Sequence, residues 1–187
     1  MSEAIIDSQD VKQAGDEIML AINKQFVVNP EDTPYDIRKK IVMLGFCIKK
    51  YIATYDLPEI NPPVEHIFTD GMYIRKWFGP VGTLTIGKLH KKAHVLILLK
   101  GECTIVTEAT GVNYHIAPAI IEYPAGLQKV VLAHTDIVLC TVHITDCKDA
   151  DKIVEEVTAR NYAEVGKKDP IINEQVLLDL YEQGLDI

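Results

Sequence analysis

Basic residues are in short supply in this sequence. Nineteen lysines and arginines stand against 27 aspartates and glutamates, a net charge of −8. A duplex nucleic-acid binder presents a basic face and a high pI, so that class is disfavoured. The four cysteines, Cys47, Cys103, Cys140 and Cys147, form no CxxC pair and come with no secretory signature. That excludes a disulfide framework or a zinc knuckle and leaves them as small reduced hydrophobes. Long apolar runs are missing too: the longest near the middle of the chain, residues 95–99, falls far short of the ~20 residues a bilayer span requires. The opening MSEAIIDSQD is acidic and lacks the basic-then-apolar order of a signal peptide, so the expectation is a cytoplasmic protein with no membrane partner. There is no GxSxG elbow, no P-loop and no GxGxxG.

What is present is ordinary globular material. With 187 residues, 48% of them hydrophobic and 25% charged, the chain is one domain with appendages, able to bury a core without staples. Periodicity divides it into three zones, 1–63, 64–146 and 147–187. In the first, Val11, Ala14, Ile18, Ile22 and Phe26 fall at helical spacing. A second helix is signed by Thr33 as N-cap, Pro34 at the first helical position and Asp36 in the first turn, with an apolar stripe of Ile37, Ile41, Leu44, Ile48 and Tyr51. Pro58, Pro62 and Pro63 then mark residues 57–64 as a linker.

The middle zone changes to short strands, expected at 72–78, 83–89, 94–99, 103–108, 114–116, 120–123, 129–132 and 137–143, with turn residues between them. Eight such strands in some seventy residues predict a closed barrel or jelly roll. The third zone is helical again, one helix capped by Asp149 and another by Asn173. Terminal helices with apolar stripes must bury them against the barrel or another copy, so a homo-oligomer is expected.

Five of the six histidines lie in the strand-rich zone: His90, His94, His115, His134 and His143; the sixth, His66, sits just before it. Alternation along a strand gives residues of equal parity one face. If residues 88–98 were one extended segment, Lys88, His90, Lys92 and His94 would point the same way, but a turn at Lys91-Lys92 would reset the count. Parity on the last strand groups Leu139, Thr141 and His143. Tyr73, Arg75 and Trp77 alternate on the first strand, where they line a cavity, pack the core or meet a subunit.

The run GKLHKKAHVLILLKGECTIVTEATG, followed by YPAGLQKVVLAHTDIVLCTVH, resembles the two motifs of the cupin superfamily. Gly101 stands at the glycine of the first motif, His90 at its second histidine, and His94 where a glutamate is usual. Pro124 and Gly126 match the PxG of the second. Lys88 and Lys129 replace two of the histidine ligands. Over residues 72–146 the phrasing is similar to a family of cupin-like proteins encoded by tailed bacteriophages, which would put the protein in the cytoplasm of an infected host. The resemblance implies a mainly β fold, a single cupin-type jelly-roll barrel with helical extensions at both ends, and it turns His90 and His94 inward.

Two uses of such a cavity follow. If the face of His143 is interior, His90, His94 and His143 supply three neutral imidazoles, a workable site for Zn, Fe, Ni or Cu; the alternative is that they are hydrogen-bonded fillers without metal. Lys88, His90 and Lys129 at a barrel mouth would instead suit a phosphate or carboxylate, unless the lysines snorkel to solvent. His134, beside Thr135-Asp136, caps that turn or lines the mouth. The ligand-binding set is thus Lys88, His90, His94, Lys129, His134 and Tyr73, the metal set His90, His94 and His143. The expected function is binding of a small anionic molecule, with metal-dependent catalysis and a structural scaffold as alternatives.

Overall fold

The computed structural model describes residues 26–54 and 62–171. All but Phe26 of the helix expected at 11–26, most of the proline-rich linker and the helix expected after Asn173 lie outside the described residues. Helix α1 (Pro34–Thr54) starts where its cap chemistry requires. The Thr33 hydroxyl accepts from the Asp36 backbone N–H at 3.3 Å, and the Asp36 carboxylate accepts from the Thr33 N–H at 3.0 Å, a reciprocal capping box. Among the described residues no helix is long and apolar enough to cross a membrane.

The strands are β1 (Val64–Thr69), β2 (Met72–Gly79), β3 (Leu84–Ile86), β4 (Leu89–His90), β5 (His94–Lys100), β6 (Glu102–Thr107), β7 (Gly111–Ile116), β8 (Ala119–Tyr123), β9 (Val130–Ala133) and β10 (Ile137–Ile144). Helix α2 (Ala150–Val157), strand β11 (Thr158–Ala159) and a 3-10 turn (Tyr162–Val165) follow. All eight expected strands are present, but the one expected at 83–89 breaks into β3 and β4, and β1 and β11 are additional. Two sheets form, β1-β2-β10-β5-β8 and β3-β9-β6-β7, with β11 and β4 as a separate pair. Setting aside β1, β4 and β11, the eight remaining strands run 1-8-3-6 in one sheet and 2-7-4-5 in the other. Every pairing is antiparallel. That order is the nested double Greek key of a jelly roll, so the fold is a mainly β jelly-roll barrel, as the strand pattern predicts.

The core lies between the sheets, with Trp77, Leu96, Leu98, Ile105, Val131 and Leu139 buried there. The outer face of the four-stranded sheet is covered by α1, whose Ile37, Ile41 and Leu44 pack on Val106 and Val130. The outer face of the five-stranded sheet is less covered: Ile120 and Ile144 are 77% and 84% exposed. One close turn depends on glycine. Gly101 between β5 and β6 has φ +83°, and a Cβ there would lie 2.4 Å from the Asp136 carbonyl oxygen.

Glu108, just past β6, is buried and binds both the Arg38 guanidinium of α1 and the Lys167 ammonium, tying helix, barrel and C-terminal segment together. Arg38 also donates to the Lys168 carbonyl at 2.7 Å and lies over the Tyr162 ring. A buried pair stripped of one member leaves an uncompensated charge. Glu108→Gln should therefore lower unfolding stability by about 3–5 kcal/mol in a urea titration. The double variant Glu108→Leu/Arg38→Met should recover most of that loss, since the two most buried charges go together and the more exposed Lys167 keeps the Gly126 carbonyl.

Candidate functional site

Strand register builds one row of inward side chains. Tyr73 on β2 pairs with His143 on β10, Val142 pairs with Val95 on β5, and His94 pairs with Tyr123 on β8. Alternation therefore carries Tyr73, His143, His94 and Tyr123 across four strands on the inner face, all four buried. The next row inward along β2 begins with Arg75, opposite Thr141.

His90 arrives by a different route. The bend at Lys91-Lys92 separates β4 from β5, so the two histidines do not share one extended segment. Instead β4 pairs with β11, Thr158 opposite His90. The His90 N–H donates to the Leu127 carbonyl at 3.1 Å, and its carbonyl accepts from the Gly126 N–H at 2.7 Å. Gly126 has φ +78°, which a glycine adopts without strain, so the PxG turn is what brings the 124–129 loop onto His90. The same loop is held from outside, where Tyr162 donates to the Gln128 side chain at 3.0 Å and Lys167 to the Gly126 carbonyl at 2.6 Å.

The three imidazoles stack against one another with centroids 4.0 Å (His90–His94), 5.1 Å (His94–His143) and 5.3 Å (His90–His143) apart. Their ligand nitrogens lie within 4.8 Å of one another, close enough for one ion to gather, since metal–nitrogen bonds are about 2.0–2.1 Å. Burial, then the charge of Lys129, pushes the pKa of His90 down to about 2 and of His143 down to about 4; the same causes hold His94 low. All three are therefore neutral, the protonation state a metal ligand needs. The Nδ1 atoms of His90 and His143 are buried with no hydrogen-bond partner among the described residues, and a coordinated ion would satisfy such a donor set. The three histidines can hold a metal.

Lys129 complicates that picture. Its side chain comes from the four-stranded sheet just before β9, contacts His94 Nε2 and lies over the Tyr123 ring at 4.5 Å from the centroid. The residue is 4% exposed and has no carboxylate partner among the described residues, and burial pushes its ammonium well below the usual lysine range. Arg75 is half-buried, and its guanidinium has no hydrogen bond or salt bridge to any described residue; burial pushes its pKa down too. Its charge acts on both His90 and His143. Tyr73 stacks on His143 at 6.2 Å, is covered by Ile153 and Val157 of α2, and shares a 2.7 Å hydrogen bond with His66 Nδ1.

The structure thus gathers His90, His94, His143, Lys129 and Tyr73 from the sequence-derived set, and leaves two residues out. Lys88 is exposed on the loop between β3 and β4, so the snorkelling alternative describes it and the expected convergence with Lys129 does not occur. His134 is exposed outside the barrel, where its Nε2 meets the Thr104 hydroxyl at 2.7 Å and its ring tilts against Tyr114. Its orientation follows from the backbone, since the His134 N–H donates to the Glu102 carbonyl at the turn. Arg75 and Tyr123 were missing from that set. Parity with Tyr73 would have found the first; adjacency to the Pro124 turn would have pointed to the second.

No protein-family model matches this sequence, and no curated protein matches it. Among solved structures, the chain is similar to an RmlC-like cupin family protein with a double-stranded β-helix fold from Methanocaldococcus jannaschii, at 18% identity over 46% of this chain and 82% of that one, TM-score 0.41. It is also similar to a conserved protein with a double-stranded β-helix domain from Klebsiella pneumoniae (13% identity, 49% and 84%, TM-score 0.42) and to a cupin superfamily protein from Desulfitobacterium hafniense (14%, 49% and 86%, TM-score 0.39). The strand order by itself makes the barrel a jelly roll.

The cluster sets a pH dependence. The folded-state pKa values of His90, His94 and His143 lie below the unfolded value near 6.5, so the unfolded chain binds protons first as pH falls. Their contribution is fully present above about pH 6.5 and is lost as pH falls toward the folded values. Stability of the metal-free protein, measured by urea titration between pH 6.5 and 5, should decline with a slope of up to one proton per cluster histidine. His143→Phe should lower that slope by about one proton; an unchanged slope would show that His143 is not held neutral.

Proposed function

We propose that the barrel cavity binds a small anionic molecule. The observation that carries this reading is Lys129, a lysine 4% exposed that meets an imidazole and an aromatic ring but no carboxylate of any described residue. An ammonium taken out of water costs several kcal/mol unless a negative partner offsets it. Arg75 adds a second cation to the same cavity without adding an acid. An incoming anion supplies what the fold withholds. The likeness of residues 72–146 to cupin-like proteins of tailed bacteriophages supports a phage-encoded protein acting in the host cytoplasm, and the exposed Ile120 and Ile144 support self-association through the five-stranded sheet.

A second reading is favoured by the unpartnered Nδ1 atoms of His90 and His143. With His94 they would hold one divalent transition metal, Zn, Fe, Ni or Cu, which when bound supplies a Lewis acid for an anionic ligand or for water. The protein's part would be to keep the imidazoles neutral, to exclude bulk water through the α2 cover over Tyr73, and to set Lys129 and Arg75 against the negative charge of an anionic ligand.

Ligand binding stabilises the folded state by RT ln(1 + [L]/Kd), about 2.7 kcal/mol at a hundredfold excess over Kd. For a chain of this size that is a rise in melting temperature of about 5–10 °C. A panel of nucleotides, sugar phosphates and carboxylates should contain at least one such compound, and Lys129→Met should abolish its effect while leaving the free protein no less stable. A shift that persists in Lys129→Met would overturn the anion pocket. For the metal, elemental analysis of protein purified without a histidine tag should show one equivalent, lost in His90→Ala/His94→Ala; metal retained in that variant would place it elsewhere.

A further inference from the structure

Of the three imidazoles, His94 is the one whose two nitrogens are both engaged. Its Nδ1 lies 3.3 Å from the Lys92 carbonyl oxygen, which can only accept, so the ring proton belongs on Nδ1. Nε2 is then the bare lone pair, the one atom of this ring able to coordinate an ion. That lone pair is taken. It accepts from the Lys129 ammonium, which makes no other hydrogen bond to the described residues. His90 and His143 differ, since the Nδ1 of each is buried and meets no partner among the described residues.

The backbone pins Lys129 in that place. Its carbonyl accepts from the Gly87 N–H at 2.8 Å, and the turn before it is bonded to His90 in both directions, through Leu127 and Gly126. The acids of the surrounding elements are engaged elsewhere. Glu108 holds Arg38 and Lys167, Glu156 holds Lys92 and the Thr145 hydroxyl, and Glu122 is exposed. The face of Tyr123, its centroid 4.5 Å from the ammonium, is the second surface on which the lysine rests. A charge at this point acts on all three imidazoles and has the sign that opposes a bound cation. Arg75 acts on His90 and His143 but hydrogen-bonds to no imidazole, so it blocks no ligand atom.

We infer that Lys129 competes with the metal for His94 Nε2, so that an ion completes its three-histidine set only by displacing the ammonium, which is left to the face of Tyr123. This rests on the metal-binding reading and adds to it what controls occupancy of the site. His90 and His143 can each offer Nδ1 without giving up a bond, whereas the third nitrogen costs the hydrogen bond of a buried ammonium. The lysine is therefore a filter as well as a brake. Cations that gain much from imidazole nitrogen, the later transition metals, displace it; hard cations that prefer oxygen do not.

The test uses the full chain, stripped of metal by dialysis against a chelator and then freed of it. Zinc is titrated against a chromophoric competitor at constant pH and ionic strength. Lys129→Met, which keeps much of the stem and drops the ammonium, should bind zinc at least about tenfold more tightly than the unaltered chain, the weight of one hydrogen bond to a charged group. In a His94→Ala background the same change should gain about threefold or less, because the contested nitrogen is gone. A Lys129→Met chain that binds zinc no more tightly, or more weakly as a coordinating lysine would require, overturns the inference and leaves the metal site standing. So does an equal gain with and without His94, the mark of charge repulsion alone. If neither the unaltered chain nor Lys129→Met binds zinc, the metal reading fails and the inference with it. Should Lys129→Met not fold, the nitrogen-15 resonances of the imidazoles in the unaltered chain decide. Zinc should move His94 Nε2 together with the Nδ1 of His90 and His143, and bound zinc that leaves His94 Nε2 unmoved overturns the competition.

Discussion

Cross-strand register in the five-stranded sheet is the constraint on which the site depends. Because side chains alternate strictly along a strand, the pairing of Tyr73 with His143 and of His94 with Tyr123 fixes four inward residues at one level of the barrel. A slip of one residue in β10 would turn His143 outward and bring Val142 in, and the row would lose its central imidazole. The hydrophobic row deeper in the barrel, Trp77, Leu139 and Leu98, holds that register, since the same slip would turn Leu139 out of it. Packing thus positions polar groups that packing alone would exclude.

Electrostatics runs opposite to composition. The chain carries a net charge of −8, yet the barrel interior brings Lys129 and Arg75 close to three imidazoles, and among the described residues no acid meets either cation. Acidic residues are spent on the surface and at the joints, Glu108 with Arg38 and Lys167 above all. Net charge describes what the protein presents to solvent and says little of what it keeps inside.

How much of this was legible in the sequence follows the range of the interactions. The cap of α1 was legible because Thr33, Pro34 and Asp36 act within one turn, and the Asp149 cap of α2 likewise. The barrel strands were legible from alternation and turn residues, and the cupin-like phrasing oriented His90 and His94. What stayed hidden depends on distant partners. The Arg38–Glu108 pair spans 70 positions, and β4 is too short to announce itself without β11 some seventy residues away. Lys88 and Lys129 looked equivalent by motif position, but only Lys129 is aimed across the barrel, because Gly87 and the 124–129 loop are bonded back to back there, with the Gly87 N–H on the Lys129 carbonyl at 2.8 Å.

His90 sits on neither main sheet. It is carried by a two-residue strand whose neighbour, β11, belongs to the segment after the barrel, and that segment also supplies α2 over Tyr73 and the hydroxyl of Tyr162 on Gln128. The smallest piece of this chain able to assemble the histidine trio is therefore longer than the jelly roll itself. A recombinant fragment trimmed to the eight barrel strands would keep the architecture and lose the support for one vertex of the triangle. Evolutionary exchange of the tail between related barrels would, by the same logic, retune the pocket without altering a residue that lines it.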